Sequence, residues 1–130
     1  MNGPSSMRTP LARVRSLGSS HSGTRDFWWQ RLTAVAMTLL IVPVVVIVLM
    51  LLGSNQAGAA QTLGQIPIAI ILLLFIIAST WHMKIGMQVV IEDYIHGEKT
   101  KLACAIANNF FSFAVALASA YAILKLSSGV

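Results

Sequence analysis

The strongest constraint on the fold is an uncharged run of 21 residues that extends from Leu32 to Leu52. A transmembrane helix needs about 20 mainly apolar residues to cross the hydrocarbon core of a bilayer. In lipid, every backbone polar group must be satisfied internally, which only helices and closed barrels achieve. The run therefore predicts a membrane-spanning α-helix, interrupted only by Thr33, Thr38 and Pro43.

Two further apolar segments, at about 66–91 and 102–126, predict a second and a third span. Only 10% of the residues are charged, whereas soluble domains carry about 25%. A net charge of +5 in a soluble protein would suggest nucleic-acid binding. Here five of the nine basic residues precede the first apolar run and flank a membrane helix instead. We therefore expect an all-α membrane protein with three transmembrane helices and no nucleic-acid partner.

The segments between the predicted spans are polar. Residues 53–65 carry no charge, and we interpret them as a loop. Residues 92–101 hold five charged side chains and predict a second loop, with His96-Gly97 as a helix end. Basic residues concentrate in the amino-terminal segment and in this second loop. The positive-inside rule thus puts both of them, and the amino terminus, on the inner side of the membrane.

Residues 1–24 form a basic arm without an acidic residue, ahead of an anchor domain that we expect over 25–130. This composition fits a flexible cytoplasmic arm, a segment bound to anionic lipid, or an organelle transit peptide. We favour an arm that lies along a partner or the membrane surface. Cys104 is the only cysteine, which excludes an internal disulfide and a cysteine-based metal cluster.

His82 is the most informative residue inside the predicted spans. Ionisable side chains within a membrane mark functional sites, and a neutral imidazole is a common axial ligand of haem iron. The alternative is an inter-helix hydrogen bond. Gly86, one helical turn further on, leaves room for a flat macrocycle or for close helix packing. The other histidines, His21 and His96, lie outside the spans, so a second haem ligand would have to come from another chain.

A second group of candidates lies towards the inner side. The pair Asp93-Tyr94 can bind a quinone carbonyl, because the phenol donates a hydrogen bond and the carboxylate orients it. The alternative is an ordinary helix end with an interfacial tyrosine. Arg31 is close enough to the first span to pair with a haem propionate, or it only sets the topology. Asn108 and Asn109 predict polar contacts between helices.

The run from His82 to Tyr94, His-Met-Lys-Ile-Gly-Met-Gln-Val-Val-Ile-Glu-Asp-Tyr, resembles the second-helix motif of the hydrophobic membrane-anchor subunit of succinate dehydrogenase, or respiratory complex II. The family's histidine, the glycine four residues later and the final Asp-Tyr pair are all present without a gap. The segments Gly23-Thr-Arg-Asp-Phe27 and Arg31-Leu-Thr-Ala-Val35 resemble the family's amino-terminal signature. The chain looks like alphaproteobacterial or mitochondrial members from about residue 23 onward.

The resemblance implies a non-flavin subunit of succinate:ubiquinone oxidoreductase that is not catalytic alone and holds no catalytic residue. It implies a helix bundle with a second membrane-anchor subunit and one haem b shared between the two. FAD and iron–sulfur clusters would belong to the flavoprotein and iron–sulfur subunits. His82 matches the axial ligand of the haem iron, Tyr94 the residue that binds ubiquinone, Asp93 its neighbour in that site, and Arg31 a basic residue near the propionates.

The expected location is the bacterial inner (cytoplasmic) membrane or, alternatively, the mitochondrial inner membrane. A protein of a different class, a non-redox three-span scaffold or assembly subunit of another membrane complex, would have the same apolar spans. A b-type haem absorbance that depends on His82 separates the two hypotheses.

Overall fold

The fold is a bundle of α-helices. The computed structural model describes residues 23–128. Within that range the helices are α1 (Gly23–Leu51), α2 (Gln56–Leu63), α3 (Ile66–Tyr94) and α4 (Glu98–Ser128). The three long helices are each long and apolar enough to cross a membrane, which confirms the predicted class. Residues 1–22, which include most of the predicted arm and His21, lie outside the described residues, as do 129–130.

Helices α1 and α3 begin with residues that suit a helix start. Asp26 lies in the first turn of α1, where a carboxylate stabilises the positive end of the helix dipole. Pro67 lies in the first turn of α3, where proline is well tolerated because an N–H at that position has no partner within the helix. Helix α1 continues through Pro43, although the proline ring removes one backbone donor.

The connection between α1 and α3 contains a helix where the sequence predicted only a loop. The side chain of Asn55 caps α2 by accepting a hydrogen bond from the backbone N–H of Gly58 at 2.8 Å. A Cβ at Gly64 would lie only 2.7 Å from the backbone oxygen of Leu126, near the end of α4. The uncharged segment is therefore helical because it is capped at its start and packed closely at its end.

The connection between α3 and α4 is shorter than the charged loop predicted over 92–101. Helix α3 continues to Tyr94, and α4 already begins at Glu98. The predicted helix end at His96-Gly97 is also wrong. The carbonyl of Gly97 instead accepts the first hydrogen bond of α4, from the backbone N–H of Lys101 at 2.8 Å.

Helix α3 is the centre of the bundle. Both α1 and α4 pack against it, whereas within residues 23–128 they do not pack against each other. The small side chains of Ala69 and Ala78 are among the few buried apolar residues of α3, and small residues let helices approach closely in membranes. Most large apolar side chains of the three long helices are exposed, so much apolar surface is left for lipid and for further subunits.

Candidate functional site around His82

The imidazole of His82 lies between α3 and α1, and its Nδ1 is 3.1 Å from the hydroxyl oxygen of Thr33. Thr33 is buried, and its hydroxyl donates to the backbone carbonyl of Trp29 at 2.7 Å. A hydroxyl has one proton to donate, so towards the imidazole it can only accept. This arrangement favours the tautomer of His82 that carries the ring proton on Nδ1 and the lone pair on Nε2.

The side-chain amide of Gln30, one turn before Thr33 on α1, lies next to this lone pair. Its Nε2 is 3.3 Å from Nε2 of His82 and is the donor of that pair. Its other polar atom, Oε1, is buried and has no hydrogen-bond partner among the described residues. A Cβ at Gly86 would lie 3.5 Å from the same amide nitrogen, so Gln30 occupies the space beside the glycine.

These four residues fit an axial ligand site for haem. A metal-ligating histidine usually donates its other ring N–H to a fixed acceptor, which sets the tautomer and the ring orientation, and Thr33 is such an acceptor for His82. No three His, Cys, Asp or Glu side chains converge in the described part of the chain. A single imidazole is a donor set that suits a metal whose macrocycle supplies most of the ligands.

Sequence reasoning placed His82 and Gly86 on one helix face but missed Gln30 and Thr33. The available signal was their spacing: two polar residues three apart lie on the same side of α1, where its apolar run begins. What the sequence did not supply is the rotation of α1 that turns this side towards His82.

Arg31 lies beside this site but does not contact His82. Its guanidinium carbon is 4.0 Å from the centre of the Phe27 ring, within the range of a cation–π interaction. Arg31, Gln30 and Gln88 line the same groove between α1 and α3. The predicted contact with a haem propionate remains a prediction, and the exposed guanidinium has freedom to make it.

The Asp93-Tyr94 pair forms the inner end of α3 in the predicted topology. Helix α3 is unbroken from His82 onward, so the eleven steps to Asp93 correspond to about 16 Å. Both side chains are exposed, Tyr94 to 78%. The ring of Tyr94 borders an open apolar groove between α3 and α4 that Val90 and Phe111 also line. The phenol is therefore accessible to a flat apolar ligand, and its predicted quinone role remains a prediction.

The side chain of Asn108 links α4 to the same stretch of α3. Its amide donates to the backbone carbonyl of Lys84 at 2.9 Å, and the residue is buried. This confirms the polar helix–helix contact predicted there for Asn108, whereas Asn109 is exposed. The ring centres of Trp29 and Trp81 are 5.8 Å apart, which adds an aromatic contact between α1 and α3 next to His82.

Comparisons with known proteins identify relatives along nearly the whole chain. Residues 5–116 match the family model of the succinate dehydrogenase/fumarate reductase transmembrane subunit. The succinate dehydrogenase hydrophobic membrane anchor subunit of Paracoccus denitrificans is 32% identical over 93% of this chain and 93% of its own length. The subunit of the same name from Rickettsia bellii is 32% identical over 89% and 93%.

A third relative, the succinate dehydrogenase membrane anchor subunit of Reclinomonas americana, is 32% identical over 62% of this chain and 70% of its own length. No solved structure matches the chain significantly.

Proposed function

The chain belongs to the family of succinate dehydrogenase/fumarate reductase transmembrane subunits, and from that premise we propose that it is the membrane-anchor subunit of a succinate:ubiquinone oxidoreductase. The protein would act as one subunit of the enzyme and would not be catalytic alone. The names of the bacterial relatives support the anchor role. The observation that carries the haem part of the proposal is the hydrogen bond between Nδ1 of His82 and Thr33, which leaves the lone pair of Nε2 as the one that would bind iron.

His82 would hold haem b as an axial ligand, and Gly86 would leave room for the macrocycle. When bound, haem b supplies a one-electron carrier inside the membrane. His82 is the only histidine in the three long helices, so a second membrane-anchor subunit would provide the other axial ligand. Arg31 would pair with a propionate as a charge-assisted hydrogen-bond donor.

Tyr94 and Asp93 would form this chain's part of the ubiquinone site. The phenol of Tyr94 donates a hydrogen bond to a quinone oxygen and stabilises the negative charge that develops there during reduction. The carboxylate of Asp93 helps to orient the quinone. Electrons would reach the quinone from succinate through FAD and iron–sulfur clusters that belong to the flavoprotein and iron–sulfur subunits.

The three apolar helices make this a membrane protein. We propose the bacterial inner membrane as its location, since relatives occur in Paracoccus denitrificans and Rickettsia bellii, with the mitochondrial inner membrane as the alternative. The family also includes fumarate reductase subunits. Succinate oxidation is the proposed direction because the matched relatives are named for succinate dehydrogenase.

The test is purification of the full complex through a tag on this chain, followed by identification of the subunits and a reduced-minus-oxidised spectrum. We expect a flavoprotein subunit, an iron–sulfur subunit, a second anchor subunit and a b-type absorbance. His82→Ala should remove or alter that absorbance. The matched control is His96→Ala, because His96 is exposed in the connection between α3 and α4.

Two results would contradict the proposal. Co-purification with proteins other than succinate dehydrogenase subunits would favour a scaffold or assembly role. An unchanged spectrum and haem content in the His82→Ala complex would remove the ligand assignment, although it would leave the anchor role in place.

A further inference from the structure

We propose that Gln30 is a placeholder for haem: its amide hydrogen-bonds the ring nitrogen of His82 that would bind iron, and it has to leave that nitrogen when haem binds. The inference rests on the proposed function, because it assumes that His82 is an axial ligand. It assigns a positioning role to a residue of α1 that the motif on α3 does not include.

The two hydrogen bonds of the His82 ring have a definite direction. Thr33 accepts the Nδ1 proton of His82, so Nε2 is an acceptor, and Gln30 Nε2 is the donor 3.3 Å away. The lone pair that would bind iron is therefore directed at the amide of Gln30. Iron and the amide cannot use the same lone pair at the same time.

The space beside His82 is shared between the side chain of Gln30 and the position of Gly86. The amide nitrogen of Gln30 lies 3.5 Å from the position that a Cβ of Gly86 would take. The glycine therefore creates room beside His82 that the glutamine side chain partly fills. A flat macrocycle on the lone-pair side of His82 needs this room, so haem insertion requires Gln30 to move.

The side-chain amide of Gln30 is only partly hydrogen-bonded where it lies beside His82. Its Oε1 is buried without a hydrogen-bond partner in the described range. This raises the free energy of the closed position, in which the amide of Gln30 contacts His82, relative to an open position away from the ring. Rotation into the open groove that Gln30 shares with Arg31 and Gln88 would give this oxygen access to water or to a donor. The closed position thus protects the imidazole with one weak hydrogen bond that is easily released.

The consequence is a lower apparent haem affinity in the wild type. A ligand that binds only the open form has its affinity reduced by the fraction of molecules that are open. The hydrogen bond from Gln30 to His82 is long, at 3.3 Å. The oxygen of the same amide has no hydrogen-bond partner in the described range. We therefore expect removal of the amide to tighten haem binding by about two- to tenfold, the range that a single net hydrogen bond supports.

The experiment uses the full complex, prepared without haem from haem-deprived cells and held in lipid nanodiscs. Haemin is partitioned between the complex and serum albumin, and the bound fraction is read from the absorbance of the complex. The variants are Gln30→Ala, which removes the amide and its bulk, and Gln30→Leu, which removes the hydrogen bond but keeps apolar bulk. The matched control is Gln88→Ala, because Gln88 lines the same groove but hydrogen-bonds to Glu92 at 2.9 Å and not to His82.

We expect Gln30→Ala to bind haemin about two- to tenfold more tightly than the wild type and Gln30→Leu to gain less, because its side chain still fills part of the space, whereas the control matches the wild type. The spectrum of the loaded complex should be the same in all four proteins, because Gln30 has left the site. Unchanged or weaker haemin binding in both Gln30 variants would overturn the inference. So would a changed loaded spectrum, which would mean that Gln30 stays beside the iron.

Failure of the inference and failure of the proposed function are distinguishable. If the wild-type complex takes up no haemin with a b-type spectrum, the haem assignment itself is wrong. If it takes up haemin and the Gln30 variants do not differ from it, the haem assignment stands and only the placeholder role is lost.

Discussion

The hydroxyl oxygen of Thr33 lies 3.1 Å from Nδ1 of His82, across the α1–α3 interface, and is positioned to accept a hydrogen bond from the ring. Loss of this acceptor in Thr33→Val would leave the ring N–H unpaired and the imidazole free to change tautomer. Changes at such supporting partners typically weaken metal binding by about 10- to 100-fold. We therefore expect the Thr33→Val complex to lose haem, measured as haem per complex during purification.

Two controls belong to this prediction. Thr33→Ser keeps the hydroxyl and should restore wild-type haem content. Thr38→Val removes an exposed hydroxyl that bonds only to the backbone of its own helix, at Ala34, and should have no effect. Equal haem content in Thr33→Val and Thr38→Val would show that the hydrogen bond to His82 does not support the ligand.

The three spans were predictable because hydropathy depends on composition alone. An uncharged run such as Leu32–Leu52 has few alternatives to a membrane helix. The common face of His82 and Gly86 was predictable as well, because helical periodicity fixes it without reference to any neighbour.

The contacts between helices were not predictable from one sequence. Gln30 and Thr33 meet His82 only because α1 has a particular rotation and vertical offset on α3, and apolar helices can pack in many such arrangements. Helix α2 was missed for a different reason. The polarity of 53–65 predicts a loop, whereas the capping residue Asn55, whose side chain holds the first turn, favours a helix.

Tyr94 provides a test of the quinone site. Tyr94→Phe removes the phenolic donor and keeps the ring, so the charge that develops on a quinone oxygen loses one stabilising hydrogen bond. We expect ubiquinone reduction by the complex to fall by about 10- to 100-fold, on the scale of losing one such donor. Succinate oxidation with an artificial electron acceptor should be unchanged, because it bypasses the quinone.

The matched control for this variant is Tyr121→Phe, since Tyr121 is also exposed but lies far along α4. It should leave both activities at the wild-type level. If Tyr94→Phe lowers both activities equally, the tyrosine supports the assembly of the complex and not the binding of quinone.

Asn108 allows a test of packing between α3 and α4. Asn108→Leu removes the donor that reaches the backbone carbonyl of Lys84 at 2.9 Å. Hydrogen bonds between membrane helices contribute about 0.6 kcal/mol on average and about 1.7 kcal/mol at most. We expect a loss of stability in this range, measured by denaturant unfolding of the full chain in detergent micelles.

Asn109→Leu is the neighbouring control, because Asn109 is exposed and its amide makes no comparable bond in the described part of the chain. A stability loss as large in Asn109→Leu as in Asn108→Leu would mean that polarity on α4 matters, and not the bond to Lys84.

The orientation of the bundle is a prediction that labelling can test. The basic residues Lys99 and Lys101 at the start of α4 favour the inner side, and helix α2 should then lie outside. In a Cys104→Ser background, a cysteine at the exposed position of Gln61 should react with a membrane-impermeant maleimide in intact cells or right-side-out vesicles. A cysteine at the exposed position of Thr100 should react only after the membrane is permeabilised. The opposite labelling pattern would place the end of α3, and with it the proposed quinone site, on the outer surface of the membrane. The soluble subunits that deliver electrons from succinate would then have to bind on the outer surface as well.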